Sequence, residues 1–234
     1  PAATRSEIHT AWREVIARKA YWRIRLNVLQ KLRNLIAPAT RNDAVALDEA
    51  TTAMLLELIT AEGAWLRSAA IGFLGMSRDP RYADLYLSHL RDRSDRVVNT
   101  AAIALGKSGS AKAFEALAAL PAHPSWKNQS LISALEGLRE LRDPRGAEIA
   151  LEALGDVQSA RWTLATPVWD YRLAAANAVA ALGAAARGAP PILAHFQEAM
   201  VAGEVNDIFS NVQLLVALGD PRAREVFAPL KQRF

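Results

Sequence analysis

Histidine and cysteine are the residues from which metal and nucleophile chemistry is first read, and this sequence holds four of the former and none of the latter. A zinc-binding helix places two imidazoles one turn apart, so that both grip one face of the ion while a neighbouring glutamate activates water. His9 is followed by Thr10-Ala11-Trp12-Arg13, His89 by Leu90-Arg91-Asp92-Arg93, His123 by Pro124-Ser125-Trp126-Lys127, and His195 by Phe196-Gln197-Glu198-Ala199. No two share a helix at ligand spacing, and the absence of cysteine excludes disulfides and thiolate ligands. The expectation is a chain with no metal site and no cofactor of its own. Ser108-Gly109-Ser110 and Gly72-Phe73-Leu74-Gly75 lack the strand-then-helix setting of a phosphate loop and read as a turn and as small packing residues. Carboxylates are plentiful, yet a sequence reports neither their separation nor their burial, so no catalytic residue is nominated.

The tryptophans and the charge are more informative. Trp22, Trp65, Trp126 and Trp169 stand at intervals of 43, 61 and 43 residues, each just before or at the start of a helical pattern. That regularity is expected of buried core or repeat-edge residues, and replacing Trp65 or Trp126 with alanine is expected to cost a few kcal/mol. Trp162 falls off this register and is the candidate for an exposed contact. Residues 1–41 carry nine Lys or Arg against Glu7 and Glu14, a net of +7, which leaves −3 for the remainder. Arg18, Lys19, Arg23 and Arg25 are the candidate domain or partner contacts. Arg18 and Arg25, seven residues apart, share a face if one continuous helix carries both. A nucleic-acid groove along a repeat array needs basic residues on several successive repeats, and the net acidity of residues 42–234 disfavours it.

These residues must be positioned by helices. Apolar residues recur at helical spacing, as in Leu66, Ala69, Ala70, Phe73, Leu74 and in Val97, Val98, Ala101, Ala102, Leu105, with no alternating strand pattern beside them. Asp79-Pro80-Arg81, Asp143-Pro144-Arg145 and Asp220-Pro221-Arg222 recur at intervals of 64 and 77 residues. Asp suits a helix N-cap and Pro the first helical position, so each triplet predicts the start of the second helix of a pair. About six helical hairpins follow, with first helices near 22–36, 65–76, 95–107, 127–141, 170–183 and 206–218, a leading helix over 6–18, and an insertion at 155–168. The predicted fold is all-α, a right-handed α-α superhelix in a single domain over 1–234, with Phe73, Leu105, Leu135 and Val179 buried between layers.

Units that open on Trp or Asp, continue with Arg and run into Ala-Ala-x-x-x-Leu-Gly resemble HEAT repeats, which recur in scaffolds and in bilin lyases. The stretches 92–107 and 125–145, continued through 172–183, further resemble the HEAT-like C-terminal region of bacterial aminopeptidase N family metallopeptidases. That resemblance implies a non-catalytic helical-repeat domain packing on a catalytic domain, with zinc held only in an upstream domain of the same polypeptide. A chain opening on Pro1 is read as an excised piece in that case. Two other readings stand beside it: an independent HEAT adaptor binding a protein or peptide, and a HEAT-like DNA-repair glycosylase. No apolar stretch is long enough to span a membrane, and the lack of cysteine does not assign a compartment.

Overall fold

The computed structural model describes residues 5–17, 21–36, 43–60, 63–123, 125–156, 169–226 and 230–231. Among them every regular element is a helix. The chain falls into two compact units, Pro1–Ala113 and Phe114–Phe234.

The first unit holds α1 (Arg5–Ala17), α2 (Trp22–Ile36), α3 (Glu49–Ile59), α4 (Ala64–Leu74), α5 (Ala83–His89) and α6 (Asp95–Ser108). Helices α2, α4 and α6 lie side by side, and α1, α3 and α5 pack against them as a second layer. Phe73, Leu74, Ile71, Leu55, Leu32, Val97 and Leu105 fill the space between, each fully buried. Small residues let the layer close up. A β-carbon added at Gly75 would stand 2.8 Å from that of Ala104 on α6, so glycine there is a packing requirement.

The second unit holds α7 (Ala113–Ala119), α8 (Gln129–Leu141), α9 (Gly146–Gly155), α10 (Trp169–Ala181), α11 (Ala185–Ala202) and α12 (Val205–Leu218). Here α8, α10 and α12 form one layer, with α9 and α11 against them. The core runs through Leu135, Leu154, Ala175, Val179, Ile192, Phe196 and Leu215. All six expected first helices are present with starts within two residues of expectation, and Phe73, Leu105, Leu135 and Val179 are all buried. Gly155 closes α9, and residues 157–168 of the expected insertion lie outside the described residues.

The Asp-Pro-Arg triplets build one corner three times. Asp79, Asp143 and Asp220 each accept the backbone N–H two residues on, at 2.9, 3.0 and 2.9 Å. The arginine of each triplet then folds back to grip the same carboxylate. Before each triplet the chain turns through a left-handed residue: Arg78 (φ 54), Arg142 (φ 58) and Gly219 (φ 66). This residue ends the first helix, as the left-handed position after a helix usually does.

Candidate functional site

Three of the tryptophans expected to be buried, Trp22, Trp65 and Trp126, are on the surface; the side chain of the fourth, Trp169, lies outside the described residues. Trp65 is 49% exposed and Trp126 is 72% exposed, and Trp22 is exposed as well. The physical reason is their place in the helix: a residue in the first turn overhangs the end of the hairpin, while the core stripe of α4 is already supplied by Leu66, Ala70, Ile71 and Phe73. Each of these three is instead covered by a cation. The Arg96 guanidinium lies 3.6 Å above the Trp65 ring centre, Lys127 Nζ lies 4.1 Å from that of Trp126, and Arg23 lies 5.3 Å from that of Trp22. Tyr21 stands beside Trp22, ring centres 6.1 Å apart. The same register of the repeat therefore presents an aromatic ring capped by a positive charge, a pairing attractive in itself.

The Trp65 pair rests on a buried ionic frame. Two residues along α4, the Arg67 side chain turns inward and donates from Nε to Asp92 Oδ2 at 3.0 Å and from Nη2 to Asp92 Oδ1 at 2.9 Å. Asp92 Oδ1 also accepts the Ser94 N–H at 2.9 Å, which holds the turn into α6. Arg96, in the first turn of α6, is thereby brought over Trp65. Burial pushes the Asp92 carboxyl up, but the Arg67 hydrogen bonds, the Ser94 N–H and the Arg67 charge outweigh it and hold it below the usual carboxylate range. The frame also joins α4 to α6 through Ser68 Oγ and Thr100 Oγ1, 2.8 Å apart.

The basic residues nominated from sequence divide. Arg23 is exposed over Trp22. Arg25 points back to α1, where its Nε donates to the Ile16 carbonyl at 2.8 Å and satisfies the end of that helix. Because the helix that carries Arg25 starts at Trp22, after the non-helical Tyr21, it does not run back as far as position 18. Arg18, Lys19 and Trp162 lie outside the described residues. Arg13, not nominated, donates to both carboxylate oxygens of Asp48 at 3.0 Å, and Asp48 caps α3. Sequence reasoning also missed Arg96 as a member of the edge. The available signal was its place in the first turn of the repeat after Trp65.

Among the described residues no group of three or more His, Asp or Glu is arranged to hold a metal ion. None of their helices is long and apolar enough to cross a membrane. His195 is buried against Asn211, whose Nδ2 also donates to the Asp207 carbonyl at 2.7 Å, an arrangement that satisfies a polar pair between α11 and α12.

Comparison with known proteins supports the helical repeat. Residues 52–136 match a family model of HEAT repeats. No curated protein matches the chain. Among solved structures, the chain is similar to the complex of CpcE and CpcF of phycocyanin lyase from Nostoc sp. PCC7120, at 22% identity and a TM-score of 0.52, over 81% of this chain and 71% of that one. These matches carry the repeat and give no support to the aminopeptidase resemblance. The fold class is that of HEAT-type α-α solenoids.

Proposed function

We propose that this chain is a non-catalytic HEAT scaffold that needs no cofactor and binds a protein or peptide through the tryptophan–cation edge of its first unit, Trp22 with Arg23 and Trp65 with Arg96. The observation that carries this reading is Trp65, half exposed and held under Arg96 by the Arg67–Asp92–Ser94 frame. Tryptophan and arginine dominate the energetics of protein interfaces, because a large rigid ring and a planar fork lose little freedom when covered. An exposed ring already fixed in place loses less still. The similar structure being a complex of two proteins supports a protein partner. The narrower reading, a C-terminal domain of an aminopeptidase-like protein, rests on the residue patterns of 92–107 and 125–145 alone.

The test is affinity capture from a lysate of the source organism with the wild-type chain and with Trp65→Ser and Arg96→Ser. A protein lost from both variants is then purified and its affinity measured directly. A loss of tenfold or more, about 1.4 kcal/mol, is expected for either variant. Equal affinity of all three chains for every captured protein would remove the edge from the interface.

A further inference from the structure

Arg145 shows what an arginine stacked on a ring does in this fold. Its guanidinium lies 3.9 Å from the Phe114 ring centre, and it donates to Asp143 at 2.7 Å and to Glu115 at 3.4 Å. The ring holds the guanidinium from one side, while the N–H groups around its rim fork onto carboxylates. Arg96 lies on Trp65 in the same way, 3.6 Å from the ring centre and exposed. Its N–H groups, however, donate to no acceptor among the described residues. Asp92, the carboxylate of the adjoining turn, has both oxygens on Arg67. Asp95, beside Arg96 in the first turn of α6, forms no ion pair with it. Arg96 is thus a donor fork already held in place, with its carboxylate missing. The charge around it has the same sign. Arg91 and Arg93 are exposed in the turn that leads into α6, and residues 1–113 carry 17 Lys or Arg against 11 Asp or Glu, a net of +6, whereas residues 114–234 are net −2.

We propose that the Trp65–Arg96 stack takes an Asp or Glu side chain from an acidic segment of the partner protein, the carboxylate sitting on the open rim of the Arg96 guanidinium. The proposal rests on the reading of this edge as a protein interface and names the chemistry of what binds there. A fork fixed by stacking loses little freedom on binding, so the ion pair retains more of its gross energy. Arg91 and Arg93 extend the positive charge beyond a single carboxylate, which fits a run of acidic side chains better than one chain terminus. A nucleic-acid strand fits less well, because a base would have to displace Arg96 from the Trp65 face on which it would stack.

The probe is a short fluorescein-labelled peptide of alternating Glu and Gly, blocked at both ends and titrated with the full chain by fluorescence polarisation at low and moderate salt. Beside it run the matching Gln peptide, that Gln peptide with a free C-terminal carboxylate, and a single-stranded oligothymidine of similar length. The Glu peptide is expected to bind, more weakly as salt rises, and the blocked Gln peptide not to bind. Arg96→Gln and Trp65→Ser are each expected to weaken the Glu peptide at least roughly tenfold. Arg96→Lys, which keeps the charge but not the planar fork, is expected to weaken it several-fold. Lys31→Gln removes the same charge from an exposed position of α2 and is expected to stay close to the wild type, with circular dichroism showing that each variant folds. No binding of the Glu peptide, equal losses in Arg96→Gln and Lys31→Gln, an unaffected Arg96→Gln, or tighter binding of the free-terminus peptide or of oligothymidine would each overturn the proposal. If the proposal fails while Trp65→Ser still loses the captured protein, the edge remains an interface and only its acidic partner is refuted. If Trp65→Ser keeps that protein, the interface reading itself falls.

Discussion

Arg67 and Asp92 form a two-bonded ion pair whose side chains are only 9% and 10% exposed, and this pair ties α4 to the turn that leads from α5 into α6. Removing one partner leaves the other charged and out of water. Asp92→Ala or Arg67→Ala is expected to cost about 3 kcal/mol, whereas replacing both with apolar residues of similar size costs much less. Urea denaturation of the two single variants and the double replacement separates these outcomes. A single-variant loss below about 1 kcal/mol would put the pair in the class of exposed bridges.

The exposed tryptophans reverse an expectation drawn from sequence, and the stability of their variants measures by how much. Trp126 is 72% exposed and touches Lys127. Trp126→Ala is expected to cost under about 1 kcal/mol, the scale of an exposed cation–π contact, against the several kcal/mol of a truncated core aromatic. Thermal or urea melting decides between the two figures, and a loss of about 3 kcal/mol or more would return Trp126 to the core.

Much of the fold was legible because it is written in short-range chemistry. Asp79, Asp143 and Asp220 each sit where a cap is needed, and Val97, Ala101 and Leu105 keep helical spacing, so the helix starts could be placed from residue types alone. The site was less legible. A tryptophan at a repeat boundary looks the same in sequence whether it faces the core or overhangs it, and the difference depends on Leu66 and Phe73 already filling the interior. Arg67 and Arg96 share a residue type and lie close to Trp65, yet one is buried on Asp92 and the other lies over the ring. Only the three-dimensional position of Asp92, 25 residues along the chain, tells them apart.

Gly75 offers a test of packing without backbone strain, since its φ of −62° is open to any residue. A methyl group there would press on Ala104 at 2.8 Å, with backbone behind it. Gly75→Ala is expected to destabilise by about 1–3 kcal/mol, as overpacking does, despite the higher helix propensity of alanine. Gly75→Ala combined with Ala104→Gly is expected to recover part of the loss, and an additive double variant would show that the two positions do not touch.

Tyr86 gives the opposite sign. Its side chain is buried in α5 and its hydroxyl has no hydrogen-bond partner among the described residues, while burial raises the phenol well above its ordinary range. Leaving a hydroxyl unsatisfied costs its desolvation, about 1–3 kcal/mol. Tyr86→Phe removes that group without changing the ring, so the variant is expected to match or exceed the wild type in urea midpoint. A clear loss would mean that the hydroxyl holds a water or a ligand in solution.

The three Asp-Pro-Arg corners predict how the protein behaves in acid. Hydrogen bonds from the Arg side chain and from its backbone N–H lower the carboxyls of Asp79 and Asp143, and the same bonds from Arg222 bring Asp220 down to about 2. In the unfolded chain these carboxyls return to the ordinary value of 3.8. Above that value both states are ionised and the contribution of the corners to stability is constant. As the pH falls below it the unfolded chain takes up protons first, so stability declines, and for Asp220 the decline ends only when the folded state is protonated near 2. Asparagine keeps the capping oxygen but does not titrate. The triple variant Asp79→Asn, Asp143→Asn, Asp220→Asn is therefore expected to be less stable at neutral pH and to lose less on going from about pH 7 to about pH 3, with urea midpoints compared at both. Parallel acid losses in wild type and triple variant would show that the acid sensitivity lies in other carboxyls, with Asp92 the next to replace.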